Sequence, residues 1–168
     1  MEAPLSFETT ATRLWKRLTR EERLAAAQRF FEQPAEEALG GIYAAIIKAR
    51  RMRPQAVRSL PDEEKARVLG SLLEPGEGVA AALIVALHVS ERRPLLAAFL
   101  DALGLPHEDG ILKEEADEAP PLTEDAARRG VAALAAFPRP HVLGYLNALW
   151  LQDPERWGAL ERAPEWLA

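Results

Sequence analysis

Apolar residues recur along this chain at helical rather than strand spacing, and the breaks fall at proline and glycine. A first short run over 8–17 sets Leu14 and Trp15 on one side. Leu24, Ala27, Phe30 and Phe31 then share a face, the 3.6-residue period of an amphipathic helix. Pro34 ends that helix, and a second, running to about Met52, carries Leu39, Ile42, Ile46 and Ala49. Val68, Leu69, Leu72 and Leu73 mark another face, broken by Pro75-Gly76. The run from about Glu77 to Glu91 is apolar nearly all round, the pattern expected of a central buried helix. Arg93-Pro94 opens a helix through Leu103 that Gly104 and Pro106 stop, because glycine closes helices and proline cannot continue them. Val131, Leu134 and Phe137 give a later face, and a last short helix spans Pro154 to about Arg162. Alanine and leucine dominate and aromatics are 7%, a bias toward helix over strand. The expected fold is all-α, a stack of seven to eight antiparallel helices.

Helix starts are written in local chemistry. Thr19-Arg20-Glu21-Glu22 is a capping box, in which the threonine oxygen accepts from the amide three residues on and the glutamate reaches back. Leu60-Pro61-Asp62-Glu63-Glu64 and Thr123-Glu124-Asp125 put acids in first turns, where the helix dipole favours negative charge.

The chain also matches itself. Leu18-Thr19 leads through Pro34 to Leu39-Gly40 and Ala44, and Leu122-Thr123 leads through Pro138 to Leu143-Gly144 and Ala148, in register without a gap. A looser copy runs from Leu60-Pro61 through Pro75 to Val79–Leu87. Gly40, Ala81 and Gly144 put a small residue at matching places, which lets a neighbouring helix come close. These signals divide a single helical-repeat domain over 1–168 into an N-terminal helix (8–17), three repeats (18–54, 60–104 and 122–152), an acidic loop (105–121) between the second and third, and a C-terminal cap (153–168). The loop holds His107-Glu108-Asp109-Gly110 and Lys113-Glu114-Glu115-Ala116-Asp117-Glu118 and reads as a partly mobile insertion.

Helix-pair repeats near forty residues over Leu18 to Trp157 resemble HEAT or armadillo repeats in architecture. The regular HEAT pattern of inner proline with Asp and Arg is not in register here, and the insertion at 105–121 departs from an even array. The resemblance implies a curved helical stack with a concave binding surface.

The 168 residues suffice for a real core. The absence of cysteine excludes disulfides, thiolate metal sites and cysteine nucleophiles. With no basic and apolar leader at the N-terminus and no apolar run of membrane length, the expectation is a cytoplasmic protein away from membranes. Arginine in preference to lysine points to GC-rich, bacterial coding. The net charge of −5 opposes generic nucleic-acid binding but leaves room for a local basic face.

Such a face has candidates. Lys48, Arg50, Arg51 and Arg53 crowd the end of one helix, and Arg92 and Arg93 the matching end in the next repeat. Both runs finish in Arg-Pro. Stacked repeats would join them, with Arg58, into a ridge for phosphate or acidic peptide, although cations at helix C-termini also simply complement the dipole. Trp157 and Trp166 are candidate interface anchors, set against a plainer role in capping the last repeat. His88, His107 and His141 lack the spacing of a metal or catalytic set, and no phosphate-binding glycine loop is present. The expected function is therefore a non-enzymatic module, without catalytic residues, metal or cofactor, that binds a protein partner or itself. The alternative is nucleic-acid or phosphate-backbone binding through the arginine ridge, as HEAT-like DNA-repair proteins suggest. An enzyme built on carboxylates is the least favoured reading.

Overall fold

The computed structural model describes residues 6–168. Its regular structure is almost entirely helical, so the fold is all-α. By its internal contacts the chain divides into two compact units, Thr10–Ser90 and 6–9 with Glu91–Ala168.

In the first unit α1 (Ala11–Arg17), α2 (Arg20–Glu32), α3 (Glu36–Arg50), α4 (Pro54–Arg58), α5 (Asp62–Ser71) and α6 (Glu77–Glu91) follow in order. The capping box at Thr19 and Glu22 forms in full. α2 lies along α5, and their closeness has a visible cause. A Cβ on Gly70 would sit 2.9 Å from the Leu24 Cα, so only glycine lets the backbones approach this far. Phe30, Ile42, Ile46, Leu69, Leu83 and Leu87 fill the core, and the Trp15 ring N–H donates to the Leu72 carbonyl at 2.7 Å. α3 closes with Arg51 in the left-handed region (φ 53°), which ends the helix before Arg53-Pro54 starts α4.

The amides of the first three residues of α1 are all satisfied by side chains, and the helical ladder begins at the fourth. Ala11 N–H and Thr12 N–H donate to the two oxygens of Glu77 at 2.5 and 3.1 Å. Arg13 N–H donates to the Thr10 hydroxyl oxygen at 3.1 Å and Leu14 N–H to the Thr10 carbonyl at 3.1 Å. Exposed amides at a helix start are the usual weak point of a short helix, and Glu77 removes it from 65 residues away.

In the second unit α7 (Arg93–Leu103) ends at Gly104 (φ 68°) and packs along α8 (Glu124–Ala132), while α9 (Arg139–Gln152) leads into the short helical turns of 154–166. Phe99 sits at the centre, edge-on to Tyr145 with ring centres 5.7 Å apart and tilted against Trp157 at 6.2 Å. The only asparagine, Asn147, is 2% exposed. It holds the segment before α1 in place, accepting from Glu8 N–H at 2.7 Å and donating to the Glu8 carbonyl at 3.0 Å. The self-match sets α2 against α8, but their packing partners differ: α5 for α2, α7 for α8.

The segment read as an acidic loop is built. β1 (His107–Glu108) and β2 (Ile111–Leu112) pair as a hairpin across Asp109-Gly110, both with positive φ (50° and 88°), as a tight Asp-Gly turn requires. Gly110 presses on α7, where a Cβ would lie 2.8 Å from the Leu96 Cβ. A 3-10 turn over Glu114–Glu118 follows, and Arg156 fixes it by donating to the Ala116 carbonyl at 2.7 Å.

Candidate functional site

α6 was expected to be buried on all sides, and it is not. Val79, Ala80, Leu83, Ile84, Leu87 and His88 face the core, but Ala81 is exposed and Val85 is 38% exposed. The helix is apolar all round because its second face looks into a groove rather than into protein. α3 forms the opposite wall. Ile42 and Ile46 turn inward with no exposure, which leaves Glu37, Gly41, Ala44 and Lys48 exposed on the far side. The groove encloses about 660 Å³ between Ala38, Gly41, Ala44 and Ala45 on one side and Gly78, Ala81, Ala82 and Val85 on the other. Its floor is the point where the two helices approach, since a Cβ on Gly41 would meet the Val79 methyl at 3.3 Å. Small side chains make the walls low and smooth, so a rod as wide as a helix backbone can lie close to both. Glu37 and Lys48 stand at opposite ends of the α3 wall.

The basic residues are divided between the units. Lys48, Arg50, Arg51 and Arg53 stand together at the end of α3 and start of α4, all exposed, and Arg50 reaches Glu64 at 3.6 Å. Arg92 and Arg93 belong to the second unit. Arg92 is 7% exposed, and Arg93 pairs with Asp109 of the hairpin turn at 3.1 Å. The acidic segment therefore does reach one of the arginines. Trp157 is inside the second unit, with Arg156 stacked on its ring at 5.0 Å. Trp166 is half-buried beneath Arg128 at 5.2 Å.

His107 has a local job. Its Nδ1 accepts from Gly110 N–H at 3.0 Å, so its Nε2 carries the proton and donates to Asp101 at 2.6 Å. The imidazole thus ties the hairpin to the end of α7. His88 is buried and His141 half-buried. Among the described residues no three His, Asp or Glu side chains gather as metal ligands, and no helix is long and apolar enough to cross a membrane.

Lys65 went unmarked in the sequence, where it reads as one more polar residue in a charged run. Its side chain is 7% exposed. The ammonium lies 5.3 Å from the Tyr43 ring centre and 5.8 Å from that of Phe31, with Asp62 at 3.6 Å. Ring faces attract a cation, so two aromatics and one carboxylate hold it where water is scarce. Buried lysines of this kind give no periodic signal. No family model, curated protein or solved structure matches the chain.

Proposed function

We propose that the protein is a non-enzymatic protein–protein interaction module that seats a helix in the α3/α6 groove. The observation that carries this reading is the groove itself: an apolar channel of about 660 Å³ beside α6, whose exposed positions between its two ends are Ala81 and Val85. A helix laid in a hydrophobic groove is a recurrent recognition mode, and the anchors then come from the partner. In this reading the chain is a bacterial, cytoplasmic, HEAT-like array of helix pairs working without a cofactor, consistent with its internal self-match. The test compares proteins retained from a native lysate by the wild type and by Ala44→Arg, which fills the groove from an exposed position. Groove-dependent partners are lost with the variant; equal retention by both, or none by either from a chain that also stays monomeric, refutes the reading.

A second reading is favoured by one observation. Lys48, Arg51, Arg53 and Arg58 are exposed within eleven residues and form no ion pair among the described residues. Such a cluster is suited to phosphate backbone, with affinity that falls steeply as salt rises. Binding of duplex DNA at low salt that disappears on Arg51/Arg53/Arg58→Ala supports it, and no binding at low salt refutes it.

A further inference from the structure

The exposed stripe of α3 reads the same from both ends. Glu37, Gly41, Ala44 and Lys48 are spaced by four, three and four residues. At 100° per residue they fall within an arc of about 60°, directly away from Ile42 and Ile46. Turning a second α3 end for end about the midpoint between Ile42 and Tyr43 sets Glu37 opposite Lys48, Gly41 opposite Ala44, Ala44 opposite Gly41, and Lys48 opposite Glu37. Both ends then carry opposite charges and the middle carries only small residues. Neither Glu37 nor Lys48 forms an ion pair with another described residue, so both are available.

We infer that the occupant of the α3/α6 groove is α3 of a second copy of this chain, docked antiparallel about a two-fold axis. The inference rests on the groove being a helix seat, as proposed above. A two-fold interface must be self-complementary, residue i meeting j while j meets i, and few stripes meet that condition with charge as well as size. Ion pairs at both ends fix the antiparallel direction, because a parallel pairing would set Glu37 against Glu37 and Lys48 against Lys48. Glycine and alanine at the centre allow the backbones to approach closely. By symmetry each α3 also lies against the α6 wall of the other copy, where Val85 supplies the exposed apolar surface. The result is a four-helix layer of two α3 and two α6. A fifteen-residue helix seated this way makes an interface at or below the lower end of the usual range of about 1,200–2,000 Å², the size at which weak, transient contacts sit, so the test spans micromolar concentrations.

The experiment is sedimentation equilibrium on the full chain at low salt, over roughly 1–500 µM, a span that brackets a micromolar constant. Wild type moves from 18.5 kDa to twice that mass. Ala44→Arg, with unchanged circular dichroism, stays monomeric. Glu37→Lys and Lys48→Glu each weaken the dimer by about tenfold, since two exposed pairs become repulsive in each. The double variant Glu37→Lys/Lys48→Glu regains it, and the two single variants mixed together form a heterodimer. A chain that stays monomeric throughout overturns the inference, as does a dimer that survives Ala44→Arg or one whose charge variants fail to complement. A monomeric wild type that still retains partners lost with Ala44→Arg overturns self-docking alone and leaves the groove reading standing. A monomer with no groove-dependent partner overturns both.

Discussion

Replacing Glu77 with alanine leaves α1 without the acceptors of its first two amides. The carboxylate receives the Ala11 and Thr12 amides and the Thr12 hydroxyl, the last at 2.9 Å. It stands at the start of α6 as well, so it faces the positive ends of two helix dipoles. A hydrogen bond to a charged group is worth about 1.5–3 kcal/mol when buried, but Glu77 is exposed and water competes for it. Loss of a helix N-cap costs about 0.5–2 kcal/mol, and with a second amide and a hydroxyl involved we place Glu77→Ala near the top of that range, at about 1.5 kcal/mol. Partial burial works to raise the carboxyl's pKa, but the three donors outweigh it and hold the group below its usual range. A folded-state value below the unfolded one means stability that is present above the ordinary glutamate value of about 4.3 and lost as pH falls through the lowered value. Urea unfolding followed by circular dichroism should therefore separate wild type from Glu77→Ala by about 1.5 kcal/mol at neutral pH and by a small fraction of that once Glu77 is protonated. Glu77→Gln at neutral pH should behave as wild type does in acid. A difference that is the same at both pH values, or absent at neutral pH, refutes this account of how α1 is held.

The glycines separate by surroundings. Gly70→Ala drives a Cβ to 2.9 Å from backbone and should cost more than about 2 kcal/mol, whereas Gly40→Ala meets nothing within 4 Å inside α3 and should stabilise by about 0.5–1 kcal/mol in thermal melts; the reverse order would refute the α2/α5 contact. Asn147→Leu removes both bonds to the Glu8 backbone and should cost about 1–3 kcal/mol in urea unfolding, with faster hydrogen exchange at Glu8. His107→Ala strips the Gly110 amide of its acceptor and should raise exchange across 107–112 by about fivefold, for a bond of about 1 kcal/mol, while leaving the first unit unchanged.

What was legible in the sequence is what local chemistry decides. Thr19 with Glu22, Thr123 and Gly104 act on atoms within a turn of themselves, so their residue types suffice to place helix ends. What was not legible depends on distant partners. The Asp109-Gly110 turn was present as a dipeptide, but its two-residue strands are too short for an alternating pattern, and the reading as a mobile loop followed from charge alone. The hairpin is held by α7 and the 3-10 turn by Arg156, forty residues later. Glu77 counted only as a helix-start acid, since its partners lie 65 and 66 residues away. Trp157 and Arg92 carried the residue types of an interface and proved to be packed inside. The groove was hidden for the opposite reason. Alanine and glycine look like helix filler, and the four-three-four spacing on α3 means something only once those positions are known to be exposed.

Val85 offers the sharpest separation of folding from binding. An apolar residue that is 38% exposed on the outer face of α6 contributes little to the core, and lysine has the higher helix propensity by a few tenths of a kcal/mol. If folding alone shaped this position, Val85→Lys would improve the chain. Thermal melts of Val85→Lys should show stability unchanged or raised by about 0.3–0.5 kcal/mol. The lysine stem and charge, however, stand in the channel that a docked helix must enter, so association should fall by at least tenfold in sedimentation. Destabilisation by more than about 1 kcal/mol would mean that Val85 belongs to the core and that the groove is no seat at all. Unchanged stability with unchanged association would place the binding surface elsewhere. Only the combination of an intact fold and lost association is expected from a face kept apolar for a partner, because a β-branched apolar residue at an exposed helix position then serves something other than the helix that carries it.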